Sequence, residues 1–178
     1  MLNILFFFLL IFSFYSGGRR GLAYQLIYSI GFMLSFLVAK SMYQGLAKKL
    51  ELYIPYMSVT EDSKLAFYSQ SAALDLDKAY YAAVSFFLIL AIGWLVTKFI
   101  GIFFMKLRFV SILDELDWLP AGLLNTGVYY TFICLFFYIL SMIPLATIQN
   151  LFFKPDFASF VVKHSPILSN MFEQMFLK

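Results

Sequence analysis

Uninterrupted apolar runs, rather than alternation, dominate the chain. The first extends from Met1 to about Tyr15, and no charged side chain precedes Arg19. The second, Gly21 to Ala39, lies between Arg20 and Lys40, and the third, Ala79 to Thr97, between Lys78 and Lys98. The fourth, Ala121 to Ile143, lies between Pro120 and Pro144. A helix that crosses the hydrocarbon core needs roughly 20 residues with few or no charges. Strands of a membrane barrel instead alternate apolar and polar over about ten residues. LNILFFFLLIFSFY and AVSFFLILAIGWLV do not alternate. The pattern predicts an all-α integral membrane protein with four spans, at about 1–16, 21–39, 79–97 and 121–143. The first run is read as a retained helix rather than a signal peptide. No Lys or Arg precedes it, and no small-x-small cleavage site follows it.

The connections carry the polar residues. Ser16-Gly17-Gly18-Arg19-Arg20-Gly21 is a short glycine-rich turn, which joins the first two spans as an antiparallel hairpin. After span two, Leu46, Leu50 and Tyr53 share a helical face while Lys48, Lys49 and Glu51 lie elsewhere. This predicts an amphipathic interfacial helix ended by Pro55. The segment 58–78, with Glu61, Asp62, Lys64, Asp75 and Asp77, is the most polar in the chain and is expected in water. The tail, 145–178, is amphipathic. Lys154-Pro155-Asp156 and Ser165-Pro166 each open a short helix. The apolar positions are Phe157, Phe160 and Val161 in the first, and Leu168, Met171, Phe172, Met175 and Phe176 in the second. These two helices are expected at the membrane surface or folded against the bundle. The whole chain, 1–178, reads as a single membrane domain.

Composition narrows the function classes. Of 178 residues, 62% are hydrophobic and 13% charged, against about 25% charged in an ordinary soluble domain; the mean hydropathy is +0.84. A typical soluble enzyme and a disordered tail are excluded, and the single Cys excludes a disulfide-stapled secreted domain. The net charge of +3 is too small and too dispersed for a nucleic-acid footprint. The lipid bilayer is the expected partner, with self-association or other membrane proteins beside it. For orientation, the short loops carry Arg19, Arg20, Lys98, Lys106 and Arg108. Positive charge in short loops stays cytoplasmic, so both termini are expected outside, although the total count of Lys and Arg points the other way.

Several residues are candidates for more than packing. Ala23, Gly31, Ser35 and Ala39 recur at multiples of four in span two; Gly93, Thr97 and Gly101 do so in span three. Span four opens with Gly122, Thr126 and Gly127. Such stripes let helices approach closely, or form a thin wall along a pore. Lys98 either snorkels to the headgroups or marks an intramembrane polar site. Asn125, one turn into span four, either bonds across helices or contacts a substrate. Arg19 and Arg20 either set topology or hold anionic lipid. Cys134 reads as a small hydrophobe and His164 as a solvated tail residue. The run Asp114, Glu115 and Asp117 reads as a solvated loop or a cation holder. No nucleophilic triad, phosphate loop, dinucleotide glycine motif or zinc helix is present in the sequence. No catalytic residue, cofactor or metal is expected.

Taken in order, these features resemble the colicin V production (CvpA) family of bacterial membrane proteins, in its Gram-positive form. The resemblance rests on the turn Gly18-Arg19-Arg20-Gly21-Leu22, followed by a helix opening with Gln25. It also rests on Leu116-Asp117-Trp118-Leu119-Pro120-Ala121-Gly122 before the last long span, and on His164-Ser165-Pro166-Ile167-Leu168-Ser169 in the tail. Where many members carry an Asp near the start of span one, this chain reads Leu2-Asn3-Ile4-Leu5. The resemblance implies a multi-pass protein of the bacterial cytoplasmic membrane that supports toxin production or export and envelope homeostasis, and leaves its biochemical activity undefined; together with the missing catalytic groups it gives the expectation of a non-enzymatic protein. The alternative is a small oligomeric transporter or channel; a membrane enzyme is a third class.

Overall fold

In hydrocarbon a backbone must satisfy its own N–H and C=O groups, and a helix does so within one segment. The computed structural model describes residues 2–56, 65–68, 76–153, 157–165 and 168–177. Among these, every regular element is a helix. They are α1 (Leu2–Gly18), α2 (Leu22–Leu50), α3 (Leu76–Phe103), α4 (Trp118–Ser141), α5 (Ala146–Phe153), α6 (Phe157–His164) and α7 (Leu168–Phe176). Short 3₁₀ turns, Met105–Phe109 and Asp114–Leu116, lie between α3 and α4. Three segments are long and apolar enough to cross a membrane: α2, α3 and Asp114–Ser141, which contains α4. The helix α1 is apolar but shorter, at 17 residues.

The elements depart from the sequence expectation at their ends. The stretch after Lys40 is not a separate interfacial helix, because α2 runs unbroken to Leu50. No proline interrupts it, and Lys48 and Lys49 sit in its last turn, where cations suit the negative end of the helix dipole. The helix therefore stops before Pro55. Helix α3 begins at Leu76 and continues past Thr97 to Phe103, so Lys98 stands inside a helix rather than at its end. The tail forms three short helices instead of two, α5 being the addition. Of the polar segment 58–78, Glu61, Asp62, Lys64 and Asp75 lie outside the described residues, as do Lys154, Pro155, Asp156 and Pro166.

The chain divides into two units, Met1–Lys40 with Leu88–Phe132, and Ser41–Phe87 with Ile133–Lys178. In the first unit α1 lies along α4 in antiparallel register. Gly17 meets Asn125 and Ala121, Gly18 meets Trp118, and Phe14 meets Gly122. Helix α2 lies antiparallel to α3: Tyr28 faces Gly101, Gly31 faces Thr97, and Ser35 faces Gly93. A side chain at these glycines would overlap the facing helix, so the small-residue stripes of α2 and α3 are close-packing seams. Trp94 closes the unit on Tyr129 and Phe132, each at 5.8 Å.

In the second unit a cluster of rings gathers the tail. Phe86, Phe172 and Phe176 pack with Tyr43 and Tyr138 at centroid distances of 5.8–6.3 Å. The apolar face of α7 is thereby covered by the protein's own helices. Buried Gln149 caps the end of α4, donating from Nε2 to the carbonyls of Ser141 (3.0 Å) and Ile143 (2.8 Å). Its Oε1 accepts the Ala66 N–H at 3.0 Å. The last carbonyls of a helix have no partner within it, and this amide supplies one.

Candidate functional site

The polar side chains of the first unit converge beside the α1–α2 turn. The turn is made by Arg19-Arg20-Gly21, with Arg20 N–H bonded to the Gly17 carbonyl at 3.0 Å. Gly21 holds φ +79°, a conformation that strains any residue with a Cβ. The sharp reversal aims Arg20 back over the first turns of α2. Its Nη1 donates to Gln25 Oε1 at 3.4 Å and to Asn125 Oδ1 at 3.3 Å. Gln25 Nε2 donates to the same Asn125 Oδ1 at 3.4 Å. Asn125 Nδ2 donates to the Ser13 carbonyl at 2.6 Å. The Ser13 hydroxyl donates to the Leu10 carbonyl at 2.7 Å and lies 3.4 Å from that of Thr126.

Ser13, Gln25 and Asn125 are buried, each 2% exposed or less. A buried amide without partners is costly, and here each amide is placed where the other and the guanidinium complete it. Aromatic groups extend the cluster. The Arg20 guanidinium stands 4.8 Å from the centre of the Tyr28 ring. The Tyr28 and Tyr24 hydroxyls are 3.0 Å apart, and Tyr24 donates to the Gly101 carbonyl at 3.1 Å. The result is a positively charged, amide- and hydroxyl-lined site built by α1, α2, α3 and α4.

The residues singled out in the sequence take distinct places. Gly18 and Gly21 shape the turn; Arg19 is exposed, 5.8 Å from the Tyr15 ring. Lys98 is half-buried with its Nζ 3.6 Å from the centre of the Trp94 ring, one helical turn earlier. Asn125 is the hub of the cluster. Ser13, Gln25, Tyr24 and Tyr28 carry it too, though none stood out as a candidate site residue in the sequence. A lone amide at Gln25, in an otherwise apolar stretch, was the available signal.

Other expectations change. Asp114 and Glu115 are exposed, but Asp117 is buried and is not a solvated loop residue. Its carboxylate accepts the N–H of Leu113 at 2.6 Å and of Ile112 at 3.1 Å, tying the loop to the start of α4. Cys134 is buried, 3.3 Å from the Ser165 hydroxyl. His164 is exposed and stacks on Phe160 at 5.5 Å. Among the described residues no group of three or more His, Cys, Asp or Glu is placed to hold a metal ion.

Comparison with known families matches residues 2–174 to the colicin V production protein. The chain belongs to that family. A similar relative is the Bacillus subtilis (strain 168) protein named "Uncharacterized transmembrane protein YshB", 24% identical over 176 residues, with 98% of this chain and 97% of the relative covered. No solved structure matches. Two of the three stretches that carried the resemblance lie at or beside the site: Gly18–Leu22 forms the turn bearing Arg20, and Leu116–Gly122 leads into α4, against which Gly17 and Gly18 pack; the third, His164–Ser169, lies in the tail, in the second unit.

Proposed function

We propose that the protein is a non-enzymatic, multi-pass component of the bacterial cytoplasmic membrane that supports production or export of a colicin V-like toxin and homeostasis of the envelope. The observation that carries this reading is the family match, which runs through nearly the whole chain. The chemistry of the polar cluster favours binding over catalysis. Guanidinium, amide and hydroxyl groups donate and accept hydrogen bonds at neutral pH but are poor proton shuttles.

In this reading α1 is a fourth span. Its 17 residues reach about 26 Å at 1.5 Å per residue, a few ångströms short of a hydrocarbon core of roughly 30 Å. A modest local thinning of the bilayer absorbs such a mismatch. Both termini then lie outside, and the protein works through self-association or through other membrane proteins. Deleting the gene in its own host is expected to lower toxin output and raise sensitivity to envelope stress, both restored by the intact gene. Unchanged output together with unchanged stress sensitivity would overturn the reading.

A further inference from the structure

We propose that the α1–α2 turn is a binding site for an oxyanion, a carboxylate or a phosphate, held on the open edge of the Arg20 guanidinium. A guanidinium carries five N–H donors in a rigid fork. The two on Nη1 are directed at Gln25 Oε1 and Asn125 Oδ1. Those on Nε and Nη2 have no hydrogen-bond partner among the described residues. This pair forms the edge that receives an oxyanion by two parallel bonds.

Charge points the same way. Every group bonded to Arg20 is neutral; the carboxylate at the turn, Asp117, is taken up by the backbone N–H groups of Leu113, Ile112 and Leu22, and no carboxylate of the described residues pairs with Arg20 or with Lys98. Lys98 adds a second positive charge to the same unit. A partly buried cation beside a bilayer is costly without a counter-charge, and an anionic ligand supplies one. The fork is also preorganised. Two amides fix one edge and the Tyr28 ring covers one face, so little side-chain freedom is lost on binding. Arg19 lacks this framework, being exposed with the Tyr15 ring beside it and no side-chain hydrogen bond among the described residues. The site requires only this cluster, whatever role the protein plays in toxin production. The anion has two possible sources, the phosphate of a lipid headgroup or a soluble oxyanion.

The test uses the full-length protein in a neutral detergent and reads the thermal unfolding midpoint during titration. The probes are phosphatidylglycerol in mixed micelles, phosphatidylcholine in the same micelles, inorganic phosphate, and acetate. Wild type is expected to be stabilised saturably by at least one anionic probe and not by phosphatidylcholine. A response to phosphatidylglycerol alone assigns the site to a headgroup; a response to phosphate or acetate assigns it to a soluble anion. Arg20→Gln is expected to weaken the apparent affinity by about tenfold or more, the scale of losing charge-assisted bonds. Arg20→Lys, which keeps the charge but not the fork, falls between.

Gln25→Glu is the second arm, nearly isosteric and retaining Arg20. It gives the guanidinium an internal carboxylate and is expected to abolish the response. This arm decides the matter if Arg20→Gln does not fold. Lys106→Gln, an exposed charge on the following loop, reports general surface attraction and is expected to bind like wild type. The site is overturned if no anionic probe stabilises wild type, or if Gln25→Glu or folded Arg20→Gln responds like wild type. It is equally overturned if Lys106→Gln loses as much affinity as Arg20→Gln.

Discussion

Asn125 shows how much one side chain decides in an apolar helix. Its amide nitrogen reaches the Ser13 carbonyl of α1 while its oxygen accepts from Gln25 of α2 and from Arg20 in the turn. The contact is tight because Gly17 leaves the space that the Asn125 side chain fills. Asn125→Ala removes these bonds and leaves Gln25 and Arg20 short of an acceptor. Hydrogen bonds between helices in membranes contribute about 0.6 kcal/mol on average and up to about 1.7. The variant is therefore expected to be less stable by about 1–2 kcal/mol, read as a lower unfolding midpoint in detergent. An unchanged midpoint would mean that the cluster contributes nothing to folding. Asn125 was visible in the sequence as a polar interruption of span four, but its partners were not. Ser13, Gln25 and Arg20 stand far from it along the chain, and only the packing of α1 and α2 on α4 brings them together.

Between elements, the α2–α3 seam is the clearest case of sequence determining contact. The four-residue spacing of Gly31 and Ser35, and of Gly93 and Thr97, marks two faces with little side-chain bulk. In the structure the two faces meet, Gly31 against Thr97 and Gly93 against Ser35. Gly31→Ala drives a methyl group into Thr97, and overpacking of this kind costs about 1–3 kcal/mol. Adding Thr97→Ala removes the opposing atoms, so the double variant is expected to recover most of the loss in a double-mutant cycle. Gly45, also in α2, has no atom near its missing Cβ. Gly45→Ala is therefore expected to leave stability unchanged or raise it by up to about 1 kcal/mol through helix propensity. Equal destabilisation by Gly31→Ala and Gly45→Ala would remove the packing account. The spacing did not extend to Gly127, which is exposed with nothing within 4 Å.

At the scale of the whole molecule, each unit is assembled from two segments distant in sequence. The long helices expose large apolar residues, such as Phe7, Phe8 and Phe12 on α1 and Leu95, Phe99 and Phe103 on α3. In water this surface would aggregate, so lipid is its solvent. The second unit also buries a cluster of rings, and Phe172 is 1% exposed among Phe86, Tyr138 and Phe176. Phe172→Ala is expected to cost about 3 kcal/mol, the lower part of the range for emptying a core ring site. Phe160→Ala, at an exposed position on α6, is expected to change stability by less than about 0.5 kcal/mol. Unfolding midpoints of the two variants check the contrast, and equal losses would show that the tail is not anchored through α7.

By itself the sequence determined the medium and the helices. Long uncharged runs cannot remain in water, and because they do not alternate as barrel strands do, in lipid they close their hydrogen bonds within one segment, so helical structure follows from the pattern of the runs. The amphipathic spacing of Phe172 and Phe176 likewise predicted a helix with one apolar face. What covers that face, and where α2 and α3 end, depended on neighbours. No periodicity encodes which of several apolar surfaces will meet. The same holds for the site. Arg20, Gln25 and Asn125 are single polar residues in different segments, visible one by one, but nothing in their own stretches pairs them. The positive φ at Gly21 and the antiparallel packing of α1 on α4 convert them into one cluster with an open guanidinium edge. Hydrophobicity is a property of each residue and is legible locally, whereas a polar site is a relation among residues that only the tertiary structure decides.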